Sequence, residues 1–229
     1  MNRIEALYSD LSRLGRETEM MDTVITMLAD DLMESTTADG HSRQVVISRV
    51  VDGGFELAGL INDKLSTASA DSADASGDLS DDPADDVRIR YRRCHLAFTA
   101  AAAQLTKLPE DTVFDYRGLQ LTPGDIVPQR IGEIVIAHDS LGTAWTIEEA
   151  DPDSALDALE TLIRRLRIAE AAPALVVDST EGDHWQIGNN GQAVNGDRED
   201  LVHWLAWGYP GELESDSELP TLPTLPRWT

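Results

Sequence analysis

The sequence predicts an α+β protein, with a four-helix bundle over residues 1–150 and a small C-terminal α+β unit over residues 151–229. Three observations lead there. Apolar residues recur at spacings of three and four through four separate stretches before residue 150. One long connection between the second and third stretches, residues 66–86, is almost entirely Ser, Ala, Asp and Gly. After Asp151 the pattern changes to one strong amphipathic helix followed by short β-branched runs between turn residues.

The first helix is expected from about Arg3 to Ser35, with Leu7, Leu11, Leu14, Met21, Val24, Ile25, Leu28 and Leu32 on one side. Thr36-Thr37-Ala38-Asp39-Gly40 ends it, and a second helix starts near Ser42 through Val45, Val46, Val50, Phe55, Leu57 and Leu60. Gly53-Gly54 inside that helix is a weak point, or a place where another backbone comes close. The acidic connection of residues 66–86 reads as a flexible, solvated loop. The third helix, Val87 to Leu108, opens with Arg88, Arg90, Arg92 and Arg93. These form either an anion clamp, since a guanidinium fork matches a carboxylate, or partners for the acidic loop; the second reading is preferred. Val113 to Pro123 reads as an extended loop, and Pro123-Gly124 leads into a fourth helix from Asp125 to about Leu141.

Beyond Asp151-Pro152-Asp153, which opens a helix, Leu156, Leu159, Ile163 and Leu166 make an apolar stripe, and Arg164, Arg165 and Arg167 sit late, where the helix dipole favours cations. Strands are expected at Leu175-Val176-Val177 and Trp185-Gln186-Ile187, with Asn190-Gly191 a hairpin signal before Ala193-Val194. Asp197 caps a last helix. The Leu-Pro-Thr repeat ending at Trp228 has polyproline period; it is either a ligand for a partner or a strap onto its own unit anchored by Trp228, and the second reading is preferred.

The charge bounds the partners. With 42 acidic against 18 basic residues the net charge is -24, which argues against nucleic acid or an anionic membrane as partner. A lone cysteine, Cys94, excludes an internal disulfide and fits a reducing cytoplasm. There is no signal-peptide core at the N-terminus and no apolar run long enough to cross a bilayer.

The chemistry-bearing stretch is Arg130 to Leu141, which places Glu133, His138 and Asp139 in an otherwise apolar helix. Buried ionisable groups are paired or bind something. At about 100° per residue, His138 lies about 140° round from Glu133, so a regular helix cannot aim both at one ion. A helical bulge is the exception; it would bring His138 toward Glu133, with Asp139, Asp52 or His41 completing a metal set. No phosphate loop, paired-cysteine motif or nucleophile elbow is present.

The order of elements resembles the mycothiol-dependent maleylpyruvate isomerase family of the DinB-like bundle superfamily. Family members carry Gly-Trp-Thr-x-x-Asp-Val-x-x-His-Leu at the second helix, where this chain has Gly40 to Val50, with Arg49 at the histidine. The family's fourth helix reads Arg-x-x-Glu-x-x-x-His-x-x-Asp-Leu; Arg130, Glu133 and Leu141 match, while Ala137 and Ser140 replace the His and Asp. Trp185, Val194-Asn195-Gly196 and Trp204-Leu205-Ala206 match the companion domain, but Trp207-Gly208 stands where the family has Gly-Arg.

The resemblance implies a divalent metal, usually zinc, held on His, Glu and His and presenting the thiolate of mycothiol in an actinobacterial cytoplasm. Of those ligands only Glu133 is kept. A catalytic zinc needs three protein ligands and an open position, and a guanidinium has no lone pair to give. The expectation is therefore an Arg49–Glu133 ion pair in the metal's position and no tightly bound cofactor. The function expected is that of an isomerase-like protein, non-catalytic or of altered activity, a monomer or homodimer that binds a small molecule in the interdomain cleft. The alternative is an active zinc- and mycothiol-dependent isomerase or transferase with shifted ligands.

Overall fold

The computed structural model describes residues 2–37, 40–68, 81–82, 85–215 and 222–226. Most of the acidic connection (69–80 and 83–84) and Trp228 lie outside the described residues.

Among the described residues seven α-helices and six strands follow in order: α1 Arg3–Met27, α2 Asp30–Met33, α3 Arg43–Ala68, α4 Val87–Ala102, β1 Phe114–Tyr116, β2 Leu119–Leu121, α5 Ile126–Ser140, α6 Pro152–Ile168, β3 Leu175–Ser179, β4 His184–Ile187, β5 Gln192–Gly196, α7 Arg198–Trp207 and β6 Glu214–Ser215. The α+β class and the helical bundle are as the periodicity predicts. Helix starts are chemically marked. Asn2 and Glu5 form a reciprocal capping box on α1. Asp86, Asp151 and Asp197 accept first-turn N–H groups of α4, α6 and α7.

Four local expectations are corrected. The first helix stops at Met27, not Ser35, because Leu28 is extended. Arg88 replaces the missing turn: its guanidinium donates to the carbonyls of Ile25 (3.3 Å) and Leu28 (2.8 Å) and to Asp30 (3.0 Å). Helix α3 runs through to Ala68, past the start expected for the acidic loop. The segment read as an extended loop contains a hairpin, β1–β2, turned at Arg117 (φ 53°) and Gly118 (φ 82°). Two left-handed residues in succession are what a tight hairpin turn requires. Asn190-Gly191 does not join paired strands: β5 runs parallel to β3, and the four-stranded sheet has the order β4-β3-β5-β6.

The core is continuous. Leu14 and Met21 of α1, Val51 and Leu57 of α3, Phe98 of α4 and Ile131 and Val135 of α5 join Leu159 and Leu162 of α6, Val177 and Val194 of the sheet and Leu201 and Trp204 of α7. Each such side chain contributes roughly 1.5–3 kcal/mol of burial. The packed Leu222 and Leu225 extend it to the described part of the tail. Helix α6 packs on α5, so the first helix of the C-terminal unit closes one side of the bundle. No helix of the described residues is long and apolar enough to cross a membrane.

Candidate functional site

Glu133 projects from α5 toward α6 and the β1–β2 hairpin, and its side chain is 10% exposed. Arg165 of α6 donates to it at 3.0 Å, and Arg130, one turn back on α5, lies at 3.6 Å. The Gln129 amide adds a hydrogen bond at 3.2 Å. The Tyr116 phenol of β1 faces the carboxylate; burial first, and the charge of Glu133 second, raise its pKa. At the rim Arg117 pairs with Glu56 of α3 at 2.8 Å.

Arg130 is the largest of the fully buried side chains. Its guanidinium donates to the Val50 carbonyl of α3 at 2.6 Å, lies 3.6 Å from the Cys94 sulfur of α4 and sits over the Phe98 ring. It therefore ties three helices together. A charge so deep needs a counter-charge, and Glu133 supplies it.

From α3 the residue facing Glu133 is Gly53. A Cβ there would lie 2.7 Å from the Tyr116 oxygen and 3.2 Å from Glu133 Oε2. Gly54 is approached more closely still, chiefly by the Cys94 sulfur and then by Arg130, whose Nη2 would be 2.8 Å from its Cβ. The two glycines are thus places of close approach, though what approaches is side chains rather than backbone.

The expected Arg49–Glu133 ion pair is not formed. Arg49 is exposed on α3, and the cations on Glu133 are Arg165 and Arg130. Arg49 lies one turn before Gly53, the α3 residue that faces the carboxylate, and stays in solvent, while α6 brings Arg165 across and Arg130 reaches the carboxylate from its own helix.

The shifted metal set is not assembled either. Helix α5 is regular from Ile126 to Ser140, without a bulge. His138 turns away and stacks on Trp145, with centroids 3.8 Å apart and planes 7° from parallel. It is 1% exposed, and neither ring nitrogen has a hydrogen-bond partner among the described residues. Burial pushes its pKa down to about 4 against the pull of Asp139. Asp139 itself bonds His203 of α7 at 3.0 Å, which raises the pKa of that imidazole. Asp52 pairs with Arg90, and His41 lies in the turn before α3. Among the described residues no group of three or more His, Cys, Asp or Glu side chains is arranged to hold a metal ion. The residues present do not fit the divalent metal that the resemblance implies.

The basic cluster is engaged within the chain. Arg88 pairs with Asp30 and Asp86, Arg90 with Asp81 and Asp52, Arg92 with Asp22 and Arg93 with Asp85. An anion clamp built from these four would have to break those pairs.

Sequence reasoning missed Arg165, Tyr116 and Arg117 at this site. Arg165 reads as one of three late-helix cations, and the hairpin bearing the other two lacks the usual Asn-Gly or Asp-Gly signal.

No protein-family model matches the sequence, and no curated protein matches it. Two solved structures do resemble the fold: the crystal structure of the mycothiol-dependent maleylpyruvate isomerase and that of a histidine-to-alanine mutant of it. Each has a TM-score of 0.72 and 14% sequence identity, over 100% of both chains. This chain has, over its whole length, the fold of the mycothiol-dependent maleylpyruvate isomerase.

Proposed function

We propose that this chain is a metal-independent protein on the isomerase-like fold, non-catalytic in thiol-dependent isomerisation, that binds a small molecule at the seam between the bundle and the C-terminal α+β unit. The observation that carries the reading is the state of Glu133, whose carboxylate is already engaged by Arg165 at 3.0 Å and Arg130 at 3.6 Å. A divalent ion there would have to displace a guanidinium and then find two more donors, and Gly53 on the facing helix offers none. The seam is favoured by the part-exposed Arg165, paired with the carboxylate, and by Arg117, on which the charge of Glu133 also acts. Both are already paired, Arg165 with Glu133 and Arg117 with Glu56, so a carboxylate-bearing ligand would be held by exchange for one of those pairs. Two surface depressions lie elsewhere, one of about 80 Å³ between α1 and the start of α5 and one of about 230 Å³ between α2 and α4.

Metal analysis of protein purified without chelator tests the first half. The expected content is well below one divalent ion per chain, and about one tightly held zinc or nickel ion would overturn the reading. The second half is tested by thermal shift with a panel of small mono- and dicarboxylates. At least one should raise the melting temperature of the parent and not that of Arg165→Met. A panel that moves neither protein would remove the seam as the site.

A further inference from the structure

The contact between α1 and α6 buries more acid than base. Arg13 and Glu17 of α1 are 9% and 1% exposed, and Asp157 of α6 is 7% exposed. One guanidinium serves two acids there: Arg13 lies 2.8 Å from Asp157 and 2.8 Å from Asp10. Glu17 has no cation paired with it among the described residues; it accepts the Asp151 N–H at 3.3 Å and lies beside the Ser154 hydroxyl. Arg16, whose charge also acts on Glu17, is turned outward and pairs with Asp151 at 2.8 Å. The remaining charges acting on the contact, Asp151 at the N-cap of α6 and Asp153 and Glu160 within it, are also acidic. Helix α5, the third element packed here, presents Gly132 to the Asp157 carbonyl rather than a charge.

Two buried carboxyls, Glu17 and Asp157, and the part-exposed Asp10 therefore stand against one buried cation, Arg13, which pairs with Asp157 and Asp10 but not with Glu17. A low-dielectric contact reaches neutrality in such a case by taking up protons. We propose that the α1–α6 contact is a proton-binding clamp, in which Glu17 and Asp157 hold α6 against the bundle more tightly in mild acid than at neutral pH. Helix α6 also carries Arg165, so the clamp governs the helix that covers Glu133. This inference stands apart from the proposed ligand site and holds whether or not that site binds anything.

The titration behaviour agrees with the geometry. Burial raises the Glu17 carboxyl, against the hydrogen bonds from Ser154 and the Asp151 N–H. Burial likewise pushes Asp157 up to about 7, against the pull of Arg13. Both groups have a folded-state pKa above the unfolded one, which is about 4. The stabilisation they contribute is complete below about pH 4 and is lost as pH rises through their folded values, which for Asp157 means near pH 7.

The test compares urea denaturation of the full chain and of Glu17→Gln at steps from pH 4.5 to 8, with Glu19→Gln, exposed on the same helix, as the net-charge control. Glutamine mimics the protonated acid. The unfolding constant of the parent relative to Glu17→Gln should rise across this range, by roughly tenfold for each pH unit that separates the folded and unfolded Glu17 pKa values. Glu19→Gln should show no such trend. A Glu17→Gln variant that is less stable by the same factor at every pH overturns the clamp, because Glu17 would then be an ordinary ionised acceptor. Should the variant not fold, carbon-13 titration of the Glu17 and Asp157 carboxyls in the parent decides. Midpoints well above 4.5 support the clamp, and midpoints at or below 4.5 refute it.

Discussion

Glu133→Gln separates a carboxylate that serves as a counter-ion from one left over after metal loss. The substitution keeps the shape of the side chain and removes its charge. Arg130, 2% exposed, would lose the one carboxylate that faces it among the described residues, and Arg165 would lose its partner at 3.0 Å. Removing one member of a buried ion pair typically costs about 3–5 kcal/mol, because the other is stranded. In a chain of this size, at roughly 2–4 °C per kcal/mol, the melting temperature should fall by roughly 6–20 °C. The comparison is Arg49→Ala, which removes an exposed guanidinium; surface changes of that kind stay within about 0.5 kcal/mol. Both variants are read against the parent by urea denaturation and calorimetry at one pH and salt concentration. A Glu133→Gln protein as stable as the parent, or more stable, would mean that the acid is under-compensated and that Arg130 and Arg165 do not neutralise it. A large loss in Arg49→Ala would restore the pairing read from the sequence.

Three further outcomes follow from close contacts and buried charge. Gly132→Ala should destabilise by about 1–3 kcal/mol in thermal unfolding, because the new methyl runs into the Thr161 side chain and the Asp157 carbonyl and pushes α6 off α5. Gly53→Ala should cost a similar amount, and a Tyr116→Phe change in the same chain should recover part of it by removing the oxygen 2.7 Å from the new Cβ; no recovery would show that the Tyr116 oxygen is not what the methyl strains against. His138 should make the fold acid-sensitive: with its pKa depressed from 6.5 to about 4, the stability it contributes is present above pH 6.5 and is lost as pH falls toward 4. At 1.36 kcal/mol per pKa unit that is about 3 kcal/mol, and His138→Phe, which keeps the stack on Trp145, should abolish that part of the pH dependence in urea denaturation.

Helix periods and caps were readable because they depend on residues close together in the chain. Asp151-Pro152, Asp197 and the apolar stripe of α6 all appear where local chemistry puts them. The failures are tertiary. Nothing local ends the first helix at Met27; Arg88, some sixty residues on, supplies the hydrogen bonds that let Leu28 leave the helix. Asn190-Gly191 carries a hairpin signal, yet β5 pairs with β3 on the side away from β4, and strand order is not encoded in a turn dipeptide. At the candidate site the wide separation of Glu133 and His138 on one helix was readable from spacing alone. The cation that meets Glu133 was not, since Arg165 reads as one of three late-helix cations and Arg49 stands where the resemblance places a metal ligand.

Protons act on this fold in two opposed ways over one pH interval. As pH falls from about 7 toward 4, His138 withdraws stability because its buried ring resists protonation, while Asp157 adds stability because its buried carboxyl accepts a proton. The two couplings are of similar size and opposite sign. A shallow pH profile of the parent is therefore no sign that both groups are unperturbed, and only the variants resolve them. Removing His138 should leave a protein that gains stability on acidification, and removing Glu17 should leave one that gains less. The location of the two groups gives the asymmetry a consequence. His138 stacks on Trp145 just beyond the end of α5, whereas Glu17 and Asp157 lie where α6 meets α1. The two couplings therefore act through different parts of the fold, the end of α5 for His138 and the attachment of α6 to α1 for Glu17 and Asp157.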